Sequence, residues 1–182
     1  MKSDQGAGKR KTVNIVTNFS RKRSRYGWTY ILASMDGKQV KIGKTSGPLD
    51  KRIDTVYREG YSKYNFPFRF AFDDQRLEQP LHDYFIENRA CYRRKENLQL
   101  TRLEPLYFTL TEARSIIAEE SLGDVFVKTP KELFRFPHLK YTSQIDTIIC
   151  DAARSMGLEL KATPQKTGNT TTGPSQTPGT AR

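Results

Sequence analysis

In GWTYILASMDGKQVKIGKT, residues 27–45, two short β-forming runs flank Asp36-Gly37, and each carries one polar side chain in an apolar setting, Tyr30 and Lys41. On paired antiparallel strands such residues can lie opposite or diagonal to one another, within reach for side chains of this length. A phenol with a pKa near ~10 is a poor base, and an ammonium beside it favours the phenolate. Gly43 then allows the backbone to come close to a ligand, and Lys44 adds charge at the strand's exit. Arg52 follows, and a guanidinium can hold two phosphate oxygens and stabilise the charge that grows in phosphoryl transfer. Glu78 is the carboxylate of the set. A hard cation such as Mg²⁺ is held by one or two carboxylates, with water and substrate completing its shell. His82, one helical turn after Glu78, can touch phosphate or simply pack. Each residue alone also has a plain structural reading, a glutamate near a helix start being a favourable dipole partner. Their order along one chain is what points to chemistry.

These side chains need elements to hold them. Residues 28–35 and 38–45 read as strands joined at Asp36-Gly37, a pair suited to a two-residue hairpin turn. SGPLDKRIDTVYREG reads as a helix, with Ser46 or Gly47 as cap, Pro48 at its first position and Gly60 at its exit. Leu49, Ile53, Val56 and Tyr57 recur on one face of it. Residues 66–72 alternate like a strand. A second helix is expected from about residue 76 to about residue 92, with Glu78, His82, Phe85 and Arg89 on one stripe. Pro80 is tolerated there only within the first turn, whose N–H groups lack partners anyway. A strand at 106–110 and a short helix at 111–120 follow, then a short element and one more helix within 123–160. An antiparallel start with helices set between strands implies an α+β fold, a small sheet flanked by helices.

The chain of 182 residues carries a net charge of +11, unevenly spread. Residues 1–26 hold eight Lys/Arg against one Asp, whereas residues 27–122 hold fifteen against fourteen acidic residues. The basicity therefore belongs mainly to an N-terminal arm, read as flexible although TVNIVTNF could form a short strand. Arg21, Lys22, Arg23 and Arg25 are its densest run. Such an arm is drawn to polyphosphate by counterion release; an acidic membrane surface would attract it too. Two cysteines, Cys91 and Cys150, have neither metal-ligand spacing nor a disulfide framework. No apolar run approaches the ~20 residues of a membrane span, and no secretory apolar segment opens the chain. The expectation is an intracellular, soluble protein with an arm over 1–26, a domain over 27–122, a helical extension over 123–160 and a disordered tail over 161–182.

The ordered set Gly27-Trp28-Thr29-Tyr30, Lys41-Ile42-Gly43, Arg52 and Glu78 resembles the GIY-YIG nuclease superfamily, in particular the branch typified by the bacteriophage T5 open-reading-frame-172 domain, whose second signature reads KIG. The spacing Glu78, His82, Phe85, Arg89, then Glu104 and Tyr107-Phe108, is similar to that branch as well. The resemblance covers roughly residues 27–115. It implies a domain with a central three-stranded antiparallel sheet that cuts DNA phosphodiesters with one divalent metal, Mg²⁺ or Mn²⁺. By this resemblance Tyr30 would be general base for the attacking water, and Lys41 would lower the tyrosine's pKa or orient the water. Arg52 would stabilise the pentavalent phosphate, Glu78 would bind the metal, and Gly43 would let the sheet edge approach the substrate. The first motif has one more residue between glycine and tyrosine than the type pattern. The late asparagine of several members has only Asn88 and Asn97 as candidates. The expected partner is DNA, with RNA left open and a phage or other viral origin in keeping with the branch. The alternatives are a non-catalytic nucleic-acid-binding module of the same fold and a structural, virion-associated protein.

Overall fold

A computed structural model of the chain describes residues 11–18, 24–94, 107–119, 125–128 and 132–162. The expectations for residues 1–10, for Arg21, Lys22 and Arg23, for Asn97 and Glu104 and for the tail beyond 162 lie outside these. The elements run β1 (Lys11–Val16), β2 (Trp28–Ala33), β3 (Gln39–Thr45), α1 (Leu49–Arg58), β4 (Phe68–Phe72) and α2 (Glu78–Tyr84). They continue with β5 (Ala90–Arg94), β6 (Tyr107–Thr109), α3 (Leu110–Glu119), β7 (Val125–Lys128), β8 (Leu133–Arg135), α4 (Thr142–Ser155) and β9 (Leu158–Ala162).

The chain is α+β, as its pattern implies. Six strands form a central sheet in the order β8-β3-β2-β4-β1-β9, and β6-β5-β7 form a separate three-stranded sheet. The central sheet is larger than three strands and mixed, since β9 runs parallel to β1 while the other pairs are antiparallel. Residues 11–16, in the region read as an arm with a possible strand, form β1 and sit between β4 and β9.

Period-two alternation sends successive residues of each strand to opposite faces. Tyr30 and Leu32 pack with Leu49, Ile53 and Val56 of α1. Ile31, Ala33, Val40 and Ile42 turn the other way, onto Leu81 of α2 and Ile145 and Ile149 of α4. The apolar stripe read from α1 is the one it buries, and Pro48 caps it instead of filling its first turn. The β2–β3 connection is longer than a two-residue turn: Ser34 N–H donates to the Gln39 carbonyl (2.8 Å), so Met35–Lys38 form a four-residue loop.

The second helix departs most from expectation. A 3₁₀ turn at Gln75–Leu77 precedes α2, which ends at Tyr84; a second 3₁₀ turn at Ile86–Asn88 redirects the chain into β5. Pro80 falls in the first turn of α2, where a missing N–H has no cost. Arg89 therefore leaves the stripe of Glu78 and His82 and bridges instead to Phe134. Both cysteines are free, and burial pushes their thiols up.

Candidate active site

Strand register decides which side chains meet. Tyr30 stands opposite Gly43, and Leu32 opposite Lys41, so Tyr30 and Lys41 are diagonal neighbours on the α1 face. The Tyr30 ring crosses directly over Gly43. A Cβ at that position would overlap the ring's Cζ and hydroxyl oxygen. Gly43 is thus required by the tyrosine itself, a different reason from the open approach to substrate expected of it. Gly27 is constrained too, since a Cβ there would run into the Thr45 carbonyl oxygen across the strand pair.

Tyr30 is fully buried, and its hydroxyl makes no hydrogen bond of full geometry among the described residues, although the Arg52 guanidinium lies near enough to interact with it by charge and hydrogen bonding. A buried hydroxyl held by an imperfect contact is poorly compensated for its lost hydration. Burial is also the largest cause that pushes the phenol up to about 12. The carboxylate of Glu132 adds to the rise, the Arg52 guanidinium opposes it, and Glu59 raises it slightly. Arg52 projects from α1, and its Nη1 lies 3.4 Å from the Glu59 carboxylate.

The expectation that Lys41 lowers the tyrosine's pKa is not met. The Lys41 ammonium, buried, is ion-paired to Glu132 and lies 4.9 Å from the centre of the Tyr61 ring. With its charge compensated by that carboxylate, Lys41 does not figure among the largest influences on Tyr30, whose pKa is raised and not lowered. Glu132 lies next to β8, whose pairing places it at the β3 edge, where the Ile42 N–H donates to its backbone carbonyl (2.9 Å). Sequence reasoning missed Glu132. The available signal was Lys41 itself, because an ammonium in a buried strand position demands a carboxylate from somewhere.

Glu78 and Lys44 form a second group. Lys44 follows Gly43 and so projects to the opposite face of β3 from Tyr30. Its Nζ lies 2.7 Å from the carboxylate of Glu78, which is buried at the start of α2, while the lysine stem is half exposed. Tyr30, Lys41 and Arg52 thus meet on one face of β3, with Glu78 and Lys44 held against the other. His82 is committed to structure. It is buried, its Nε2 is 2.9 Å from the Ile42 carbonyl oxygen, and its ring lies on Phe134. This removes it from the phosphate-contacting set. Asn88 donates to the carbonyl of Arg135 (3.2 Å), also a structural bond.

Among the described residues no three His, Cys, Asp or Glu side chains group into a metal site. Glu78 alone fits a cation that takes most of its shell from water and substrate. Such a cation would exchange with the Lys44 ammonium, which its exposed stem permits. Of the basic run, Arg25 is described: exposed, with its guanidinium 5.4 Å from the Tyr26 ring, where Arg76 also lies, at 4.8 Å.

The fold is an α+β domain with this cluster arranged about β3, extended at both ends of the chain. The family model for the T5orf172 domain matches residues 27–121, and the chain belongs to that family, a domain associated with GIY-YIG-like folds. No curated protein and no solved structure matches the chain. Lys11–Val16, Glu132, α4 and β9 lie outside the matched residues, although they build the same sheet and core. Among the described residues no helix is long and apolar enough to cross a membrane.

Proposed function

We propose that the protein is a metal-dependent endonuclease that hydrolyses DNA phosphodiesters at the β3 edge, in the KIG-type branch of the GIY-YIG superfamily. One observation carries this reading: the Tyr30 ring is threaded over a residue that must be glycine, and it delivers a buried hydroxyl, short of a full hydrogen bond, to the Arg52 guanidinium. A core tyrosine held at that cost, beside the family's arginine, is what a site keeps for a ligand that supplies the missing bond.

Arg52 would take the non-bridging phosphate oxygens through its guanidinium and stabilise the pentavalent state. Tyr30 would orient the attacking water and, as general base, accept its proton. In the free protein it is a phenol at neutral pH, so its basicity has to arise in the complex. Lys41 would hold the water or the phosphate once its ammonium is shared beyond Glu132. Glu78 would hold Mg²⁺ or Mn²⁺, which when bound supplies positive charge to the scissile phosphate. Lys44, released from Glu78, would add a phosphate contact.

The test is plasmid nicking with Mg²⁺, Mn²⁺ or EDTA, on wild type and on Tyr30→Phe and Glu78→Ala. Metal-dependent cutting lost in both variants is expected; equal activity in either variant overturns the assignment of that residue. A second reading, a binding module without catalysis, draws on the two ion pairs, which neutralise both Lys41 and Glu78. Salt-sensitive DNA binding with no cutting in any metal would decide for it.

A further inference from the structure

The tip of the β2–β3 hairpin gathers three of the most exposed large apolar side chains among the described residues: Met35 (67 %), Tyr64 (75 %) and Tyr141 (67 %). They come from three distant segments, yet backbone bonds hold them together. The Met35 N–H donates to the Asn65 carbonyl (3.1 Å), and the Thr142 hydroxyl donates to the Met35 carbonyl (3.3 Å). Gly37 completes the junction, since a Cβ there would lie 3.0 Å from the backbone of Tyr141. Single exposed apolar residues mean little, but convergence of three on one rigid junction marks an interaction surface.

The charges around it select the partner. Lys38, Lys63 and Lys140, each adjoining the junction in sequence, are exposed. Among the described residues none of the three is in an ion pair; Asp36, next to Lys38 in the loop, is bound to Ser34 and to the Lys38 N–H and is attracted to the Lys38 ammonium from a distance. The Lys63 ammonium lies 5.2 Å from the centre of the Tyr64 ring. Cations beside flat aromatic faces match phosphates beside unstacked bases, the pairing that single-stranded nucleic acid offers and a duplex does not. The surface is also continuous with the candidate active site. The loop that presents Tyr64 presents Tyr61 to Lys41.

We propose that the hairpin tip is a docking platform for single-stranded nucleic acid, with bases stacked on Tyr64 and Tyr141 against Met35 and phosphates on Lys38, Lys63 and Lys140. The proposal rests on the nucleic-acid reading above and adds the form of substrate. A strand held there leads away from the β3 edge along the 61–66 loop, so the substrate has an unpaired segment beside the bond to be cut.

The experiment is fluorescence anisotropy with a labelled oligothymidylate of about 20 nucleotides and a duplex of equal length, without metal, over a range of salt. The variants are Tyr64→Ala/Tyr141→Ala and Lys38→Gln/Lys63→Gln/Lys140→Gln. The tyrosine pair is expected to weaken single-strand binding roughly tenfold or more, with an unchanged salt slope and unchanged duplex binding. The lysine triple is expected to lower the single-strand salt slope by about 2, at ~0.7 per phosphate neutralised. All five side chains are exposed, so matching thermal melts are expected for variants and wild type. Wild-type single-strand affinity in the tyrosine pair overturns the platform and leaves the nuclease reading standing. A wild type that binds neither form overturns both.

Discussion

Tyr30 shows how one residue can set stability against chemistry. Its hydroxyl is buried with only an imperfect contact to Arg52, and a buried hydroxyl with no partner at all costs about 1–3 kcal/mol, which bounds the cost from above. Tyr30→Phe is therefore expected to stay within about 1 kcal/mol of wild-type stability at pH 7 while losing phosphodiester cleavage, which a thermal melt beside a nicking assay reads. The same residue makes a pH prediction. Its pKa is raised to about 12 in the fold from an ordinary value of 10.0, so the folded state holds the proton more tightly than the unfolded chain. Its stabilisation is complete below pH 10 and is lost as pH rises through about 12. Denaturation at alkaline pH should show a shallower limb in Tyr30→Phe than in wild type, the remainder coming from groups such as Tyr57, whose phenol is also pushed up by burial. Gly43→Ala drives a methyl group into the ring and should destabilise by roughly 1–3 kcal/mol, as overpacked sites do. Combined with Tyr30→Ala, most of that added destabilisation should vanish, because the two residues share one space.

At the scale of elements, what can be read from the chain is whatever repeats. The β2–β3 pair shows itself through alternation, and α1 through Leu49, Ile53 and Val56 at helical spacing, all three buried as expected. Tyr30, Arg52 and Lys41 are legible because they ride on those elements. The end of α2 is not. Phe85 and Arg89 continue the helical period of Leu81 and His82, but tertiary contacts with Phe134 and Phe136 hold Phe85 in a turn after the helix has ended. Strand β8 is legible only as a short element of no stated type, and β9 not at all, for a different reason. β8 is three residues long and β9 is largely exposed, and each forms only because a distant strand is waiting for it. Glu132 is hidden with β8, and with it the charge environment of Lys41. Substitutions at this pair test the point. Glu132→Ala strands the buried Lys41 ammonium and should cost about 3–5 kcal/mol by chemical denaturation. Lys41→Met with Glu132→Leu, which removes both charges, should recover most of that.

At the scale of the whole molecule, the family domain is part of a larger folding unit. Phe134, Phe136, Ile145, Ile149, Ala152 and Ala153 share one core with Ile31, Val40 and Ile42. A chain ended at residue 121, the limit of the family match, should lack a cooperative thermal transition, whereas one ended at residue 162 should keep it; circular dichroism distinguishes them. The basic run near the N-terminus is expected to act through charge alone. Replacing Arg21, Lys22 and Arg23 by glutamine should lower the salt slope of duplex binding by up to about 3, at ~0.9 per phosphate neutralised. The pairing of β1 with β9 sets Lys11 beside Leu158 and Ile15 beside Ala162, so the first strand of the sheet and the last are side by side. On the ribosome, β1 is made long before its parallel neighbour exists. The sheet therefore gains its last strand only once residue 162 has been translated, and the side of β3 where Glu132 meets Lys41 is itself assembled late. A nascent chain shorter than that holds the family motifs without the finished sheet around them.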